Sequence, residues 1–512
     1  MSTTPPLPTL FCLHALGVSG TEFAPLAERL RGAFEVVALD LPGFGDNSAA
    51  SGTGVAEMVA FATRRVRTHG SPRWMLVGHS MGAKIASIVA SRALSGEAPV
   101  FGLQGVVVLA GSPPSPEPMP ERKRAEMIGW AVDRALAATS ARQFIDANVG
   151  APLDPEHDAT VMADLQRASP EAWRAWLQRG SLEDWSAEVG ELRMPALVVS
   201  GGADGDLGEA AQRELNGAVY PLARFETLEG AGHLLPLERP DEIADLVRGF
   251  WHDTAGRAPI MPADHSAVIA SPRMSARTRG ILARRALPDD PTATPRVLSP
   301  AQLSTLRAVA DRVVPQDAAH MEGELQDGMS HGGVPRDGVP RDVAPQHGGP
   351  QTPEPQTPEP AAGAPIDLAL RLDAQLAAGT GDGWRNASLP DDVEAYRAAL
   401  DGLAGFASLS PSDQDARLAA IADGTAGQVG ALAPAQLTAW FEDACSDLVR
   451  LWLAHPASLA RIGFDGYANG GDGIRQQGFE LLGAGEREAW EPMPPEHPTE
   501  QRATTTTPEP HA

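Results

Sequence analysis

Ser80 stands in Gly78-His79-Ser80-Met81-Gly82, between the apolar run 74–77 and the helix-forming stretch 83–90. A serine on a sharp strand-to-helix corner presents its hydroxyl for attack, and small neighbours let strand and helix approach. Unassisted serine is a poor nucleophile near neutral pH, so it needs a base, and the base needs an orienting carboxylate. Both occur downstream at predicted strand ends. Asp204 follows the run 196–200 through Gly201-Gly202-Ala203, and His233 follows the run 225–228 through Glu229-Gly230-Ala231-Gly232. Together these residue types perform acyl transfer through an acyl-serine. Asp206, two residues beyond Asp204, competes for the orienting role.

The elements that must position them are short apolar stretches at 10–13, 34–39, 74–77, 106–109, 196–200 and 225–228, of which 74–77 and 196–200 read as buried strands. The first ends in His14-Ala15-Leu16-Gly17, a loop whose backbone N–H can join that of Met81 in an oxyanion hole. The second leads into Asp40-Leu41-Pro42-Gly43-Phe44-Gly45-Asp46-Asn47-Ser48.

These pieces, taken in order, resemble the α/β-hydrolase superfamily over about residues 8–252. The resemblance implies an α/β fold with a mostly parallel sheet and a helical cap. It also implies Ser80 as nucleophile, Asp204 as acid, His233 as base, and the amides of Leu16 and Met81 as oxyanion donors. One departure is His14-Ala15 where the family has His-Gly, which puts a methyl group at a close backbone approach. Relatives that place Asp at the nucleophile position act on halides and epoxides, so Ser80 points to acyl chemistry.

The cap is expected at about 113–190, a stretch too long for one crossover helix. Its Met127, Trp130, Phe144, Trp173, Trp176 and Trp185 either line an acyl pocket or hold the cap to the sheet.

Length and charge bound the rest. At 512 residues two domains are expected, and 43% apolar content suffices for packed cores. A net charge of −25 argues against nucleic acid or an anionic membrane as partner. Cys12 and Cys445 fall in different domains and predict no disulfide framework. No leader and no membrane-length apolar run is read, so a cytoplasmic protein is expected. Neither a cofactor nor a metal site is expected: His455, Asp465, Asp472 and Glu480 lack ligand spacing.

The hydrolase domain is expected to occupy 1–255 and to remain active in a chain ending near Arg257, followed by a Pro- and Arg-bearing linker at 256–296. A Pro-rich insert at 323–364 and a tail at 493–512 are expected to be disordered. Around the insert, 297–492 reads as a small all-helical domain. Ser299-Pro300-Ala301-Gln302 is a capping box, Ser410 opens another helix, and a third runs over about 434–454. The segments LSPAQLSTLRAVADRVVP, EAYRAALDGL, LSPSDQDARLAAI and HPASLARIGFDGYANGGDGIRQQGFELLG resemble the gluconate 2-dehydrogenase subunit 3 family. That resemblance implies an accessory module whose partner is a flavin-dependent oxidoreductase of the glucose-methanol-choline type. Trp440, Phe441, Trp452 and Trp490 are expected to form its docking face.

The expected activity is cleavage of an ester, thioester or lactone. Two alternatives are a non-hydrolytic C–C lyase on the same fold and an accessory subunit with a secondary hydrolase.

Overall fold

The computed structural model describes residues 6–132, 134–316, 363–381, 386–464, 466 and 472. Six strands form one parallel sheet: β1 Thr9–Leu13, β2 Glu35–Leu39, β3 Trp74–His79, β4 Leu103–Leu109, β5 Ala196–Gly201 and β6 Ala223–Leu228, in spatial order β2-β1-β3-β4-β5-β6. The strand β3 reads as a continuous apolar run because both its faces are covered. Alternate residues go to opposite sides. Leu76, Val106, Val108 and Val198 pack with the helices Val55–His69 and Met81–Ser95, whereas Met75, Val77, Val107 and Val199 pack with Leu26, Ile243, Val247 and Phe250.

The chain passes from β1 out to β2 and then back across to β3, so the winding direction reverses between β1 and β3. Crevices for ligands open at the carboxyl ends of strands at such a reversal. The loop after β1 carries Leu16 and the turn after β3 carries Ser80, so both stand at that crevice.

Between β4 and β5 the helices Glu121–Gly129, Ala138–Asn148, Pro155–Arg167 and Pro170–Ala175 form the cap. The stretch expected to be a linker is not one. It carries the helices Ala263–Ala270 and Ala276–Arg285, and the second lies against Met81–Ser95. Arg279, expected in solvent, is 4% exposed and gives its guanidinium to the carbonyls of Ile269, Gly96, Ser271 and Met274.

A separate apolar core unites the helices Pro300–Val313, Leu368–Ala378, Asp392–Gly402, Pro411–Ala422 and Pro434–Leu453. Trp440 is at its centre with 0% exposure and so is no part of an open face, and Phe441 and Trp452, each partly buried, pack against this core. The insert 323–362, residues 473–492 with Trp490, and the tail 493–512 lie outside the described residues. No described helix is long and apolar enough to cross a membrane.

Candidate active site

Ser80 is the residue between β3 and the helix Met81–Ser95, with φ 50° and ψ −117°. A non-glycine residue at such φ is strained, and the surroundings hold it there. A Cβ on Gly82 would stand 2.1 Å from the Leu13 carbonyl oxygen, and one on Gly78 would stand 2.5 Å from the Ala83 Cα. Only glycine permits these approaches. The Ser80 N–H donates to the Leu109 carbonyl and the Ser80 carbonyl accepts from the Ser112 N–H, each at 3.0 Å.

Asp204 and His233 reach the same place from the ends of β5 and β6. His233 Nδ1 lies 2.7 Å from Asp204 Oδ2. The other carboxylate oxygen accepts the N–H groups of Asp206 and Leu207, each at 3.1 Å. Burial acts to raise the Asp204 pKa, but the His233 bond and charge and the two amides outweigh it and leave the carboxyl at about 2. An ionised Asp204 draws the proton to Nδ1 and leaves Nε2 free to act as base. Burial likewise favours neutral His233, yet the bond and charge of Asp204, with the charge of Glu117, leave its pKa raised.

Ser80, Asp204 and His233 line one cavity of about 140 Å³. Among the described residues the Ser80 hydroxyl forms no hydrogen bond to the His233 ring; such bonds are commonly long in unliganded sites and tighten around substrate. Asp206 is held elsewhere, in an ion pair with Lys123 of the cap.

The oxyanion side is built by His14. Its Nε2 accepts the Leu41 N–H at 3.0 Å, so its Nδ1–H donates to the Ala15 carbonyl at 2.7 Å. Burial keeps this ring neutral by lowering its pKa. In a planar trans peptide the N–H points opposite to the carbonyl, so holding the Ala15 oxygen aims the Leu16 N–H the other way. Neither the Leu16 nor the Met81 N–H is taken by a hydrogen bond among the described residues. Ala15 lines the cavity, so its methyl group stands at the wall.

Of the cap residues, Met127, Phe144 and Trp176 line the cavity, whereas Trp173 is buried behind it with its indole N–H on the Met127 carbonyl. Trp130 packs on Trp173. Three groups were not singled out from sequence: Glu117 on the cavity wall, and the buried Glu22 and His79 beside the triad. No cluster of potential metal ligands occurs among the described residues.

Residues 10–246 match the family described as "Alpha/beta hydrolase family". Among similar proteins is the 2-succinyl-6-hydroxy-2,4-cyclohexadiene-1-carboxylate synthase of Serratia proteamaculans, 30% identical over 250 residues, covering 48% of this chain and 92% of that protein. A biotin biosynthesis bifunctional protein of Teredinibacter turnerae is 25% identical over 264 residues, covering 48% and 45%. Among solved structures is the enol-lactonase of Burkholderia xenovorans, with 22% identity, a TM-score of 0.41, and coverage of 48% of this chain and 92% of that one.

Proposed function

We propose, for a chain that belongs through residues 10–246 to the alpha/beta hydrolase family, a serine hydrolase acting on a small carboxylic ester, thioester or lactone. The observation that carries this reading is the His233 Nδ1 bond to Asp204, which leaves Nε2 available in the cavity that Ser80 lines. In the proposed reaction Ser80 Oγ attacks the acyl carbon as Nε2 takes its proton. The Leu16 and Met81 N–H groups receive the developing oxyanion. Collapse leaves acyl-Ser80, with the proton passing from Nε2 to the departing oxygen or sulfur. Water then attacks the acyl carbon with His233 again as base, and free Ser80 is restored.

A second reading, a non-hydrolytic lyase, is favoured by the likeness to the synthase of a succinyl carboxylate. Charge supports the first. Asp204 is ionised at the cavity, and the one lysine that lines it, Lys123, is already paired with Asp206. A substrate bearing carboxylates finds no unpaired lysine or arginine among the lining residues, whereas an uncharged acyl group needs none. The test is a screen of the purified chain against short p-nitrophenyl esters and small lactones, with Ser80→Ala as control. Turnover lost in the control supports hydrolysis. Absence of any turnover, in a chain whose Ser80 still takes a fluorophosphonate label, favours the lyase.

For the helical half we propose an accessory module for a flavin-dependent oxidoreductase of the glucose-methanol-choline type, on the resemblance of 297–492 alone. A cytoplasmic setting is proposed on the two unpaired cysteines. Immobilised full-length chain should retain a flavoprotein from the native host, identified by mass spectrometry and flavin absorbance. If none is retained, the fusion has no such partner.

A further inference from the structure

Glu22 and His79 lie outside the triad, yet both are buried at its centre. Glu22 is 1% exposed on the turn Gly20–Phe23, and His79, 0% exposed, ends β3 one position before Ser80. One Glu22 carboxylate oxygen accepts the Ala15 N–H at 3.1 Å, and the other lies 2.9 Å from His79 Nδ1. The remaining ring nitrogen, Nε2, lies 2.7 Å from the His233 carbonyl oxygen. A backbone carbonyl has no hydrogen to give, so Nε2 carries a proton. The Glu22 oxygen facing Nδ1 either accepts from it, as a carboxylate, or donates to it, as a carboxylic acid. In the carboxylate form both ring nitrogens of His79 are donors, as in an imidazolium.

We propose that Glu22 and His79 form a buried carboxylate–imidazolium pair that positions the three loops of the active site against one another. It holds the oxyanion loop through Ala15, the nucleophile through the peptide joining His79 to Ser80, and the base through the carbonyl of His233. Two of these segments, the oxyanion loop and the loop of His233, lie outside strands and helices at the point held, and the third is held at the last residue of β3. The Ser80 backbone is strained, and the loop before His233 contains Gly230 at φ 70° and Gly232. Reacting groups need placement within a fraction of an ångström, which loops alone supply poorly. Neither residue touches the reacting atoms, so both are positioning residues.

The proposal rests on the hydrolase reading only in taking Ser80 as the nucleophile. Its test uses full-length chain labelled with 15N-histidine, with the His79 signals assigned by their loss in His79→Gln. At neutral pH His79 should show two protonated ring nitrogens. In Glu22→Gln the new amide donates to Nδ1, so one proton should remain, on Nε2. The second arm is the rate at which Ser80 takes a fluorophosphonate label. Glu22→Ala and His79→Gln, which break the three-way tie, should label about 10- to 100-fold more slowly, because misplacement of about 1 Å costs rate on that scale. Glu22→Gln keeps an acceptor for Ala15 and a partner for His79, and should stay within about threefold of the parent chain. A single-proton His79 in the parent chain overturns the pair, and so does parental labelling in Glu22→Ala. If Glu22→Ala does not fold, His79→Gln and the nitrogen spectrum of the parent chain decide. A parent chain that takes no label sinks the nucleophile reading instead, while the spectrum still judges the pair.

Discussion

Asp206 stands two residues beyond Asp204, yet its carboxylate is ion-paired with Lys123 of the cap, whereas Asp204 meets His233 Nδ1 at 2.7 Å. The turn after β5 separates them: Asp204 Oδ1 accepts the Asp206 and Leu207 amides, which directs its other oxygen to the histidine. Replacing Asp204 by Asn removes the carboxylate that selects the useful tautomer. Asp204→Asn should therefore lower kcat/KM by about 10³- to 10⁴-fold. Asp206→Asn only unlatches the cap and should cost less than about tenfold. Steady-state kinetics on the best ester substrate checks the ranking, and equal losses would return the choice of acid to Asp206.

Ser80 stores strain in its positive φ, and that has a thermodynamic signature. Ser80→Ala keeps a Cβ and hence the strain, so its midpoint of thermal unfolding should match the parent chain. Ser80→Gly relieves it. Backbone strain of this kind costs about 1–3 kcal/mol, and the extra freedom of glycine in the unfolded chain returns only about 0.4–1 kcal/mol. Ser80→Gly should be the more stable variant by about 1 kcal/mol, with both variants inert to fluorophosphonate. Differential scanning calorimetry gives the comparison, and a Gly variant less stable than Ala would show that the turn is not strained.

His233 must be unprotonated to act as base, and its pKa is raised. The sign follows directly: activity should fall with acid at a pH above the ordinary imidazole value of about 6.5. Glu117 contributes to that rise through its charge, although burial raises its own pKa as well. Glu117→Gln should therefore shift the acid limb of kcat/KM to lower pH. A limb that does not move would mean that the Glu117 carboxyl is uncharged when His233 titrates.

Much of the fold was readable because parallel strands covered on both faces leave continuous apolar runs, and the expected run at 196–200 differs from Ala196–Gly201 by one residue. Ser80 and Asp204 were readable because each follows such a run, whereas His233 follows the edge strand Ala223–Leu228 and was readable from its Gly-rich loop. Glu22 and His79 were not. A glutamate in a loop and a histidine inside a motif carry no sign of mutual burial, which comes only from folding β1 beside β3. The segment 256–296 was misread for a related reason. Its prolines and arginines look solvated, and nothing in composition separates a free guanidinium from one that binds four carbonyls, as Arg279 does. The readable signal was Ser275, whose side chain caps the helix by accepting the Thr278 N–H.

That helix bears on the expectation that a chain ending near Arg257 remains active. Ala276–Arg285 packs so tightly on the far end of Met81–Ser95 that a Cβ on Gly280 would stand 2.2 Å from the Ser95 carbonyl oxygen. Ile269, Met274 and Leu282 are buried in the same core as the sheet. Exposing what they cover costs about 1.5–3 kcal/mol for each side chain, so a chain ending at residue 257 should lose at least about 5 kcal/mol. In a domain of this size that corresponds to a fall of about 10–20 °C in the unfolding midpoint. A chain ending at residue 296 keeps the clamp and should melt with the hydrolase transition of the full-length protein. Because Ser80 immediately precedes the other end of the clamped helix, the shorter chain should also take fluorophosphonate more slowly at temperatures approaching its midpoint. Gly280→Val in the full-length chain tests the contact without truncation, since the added branches meet the Ser95 backbone. If the two shortened chains melt within about 3 °C of each other, less than about 2 kcal/mol of stability lies in this segment and its packing is incidental.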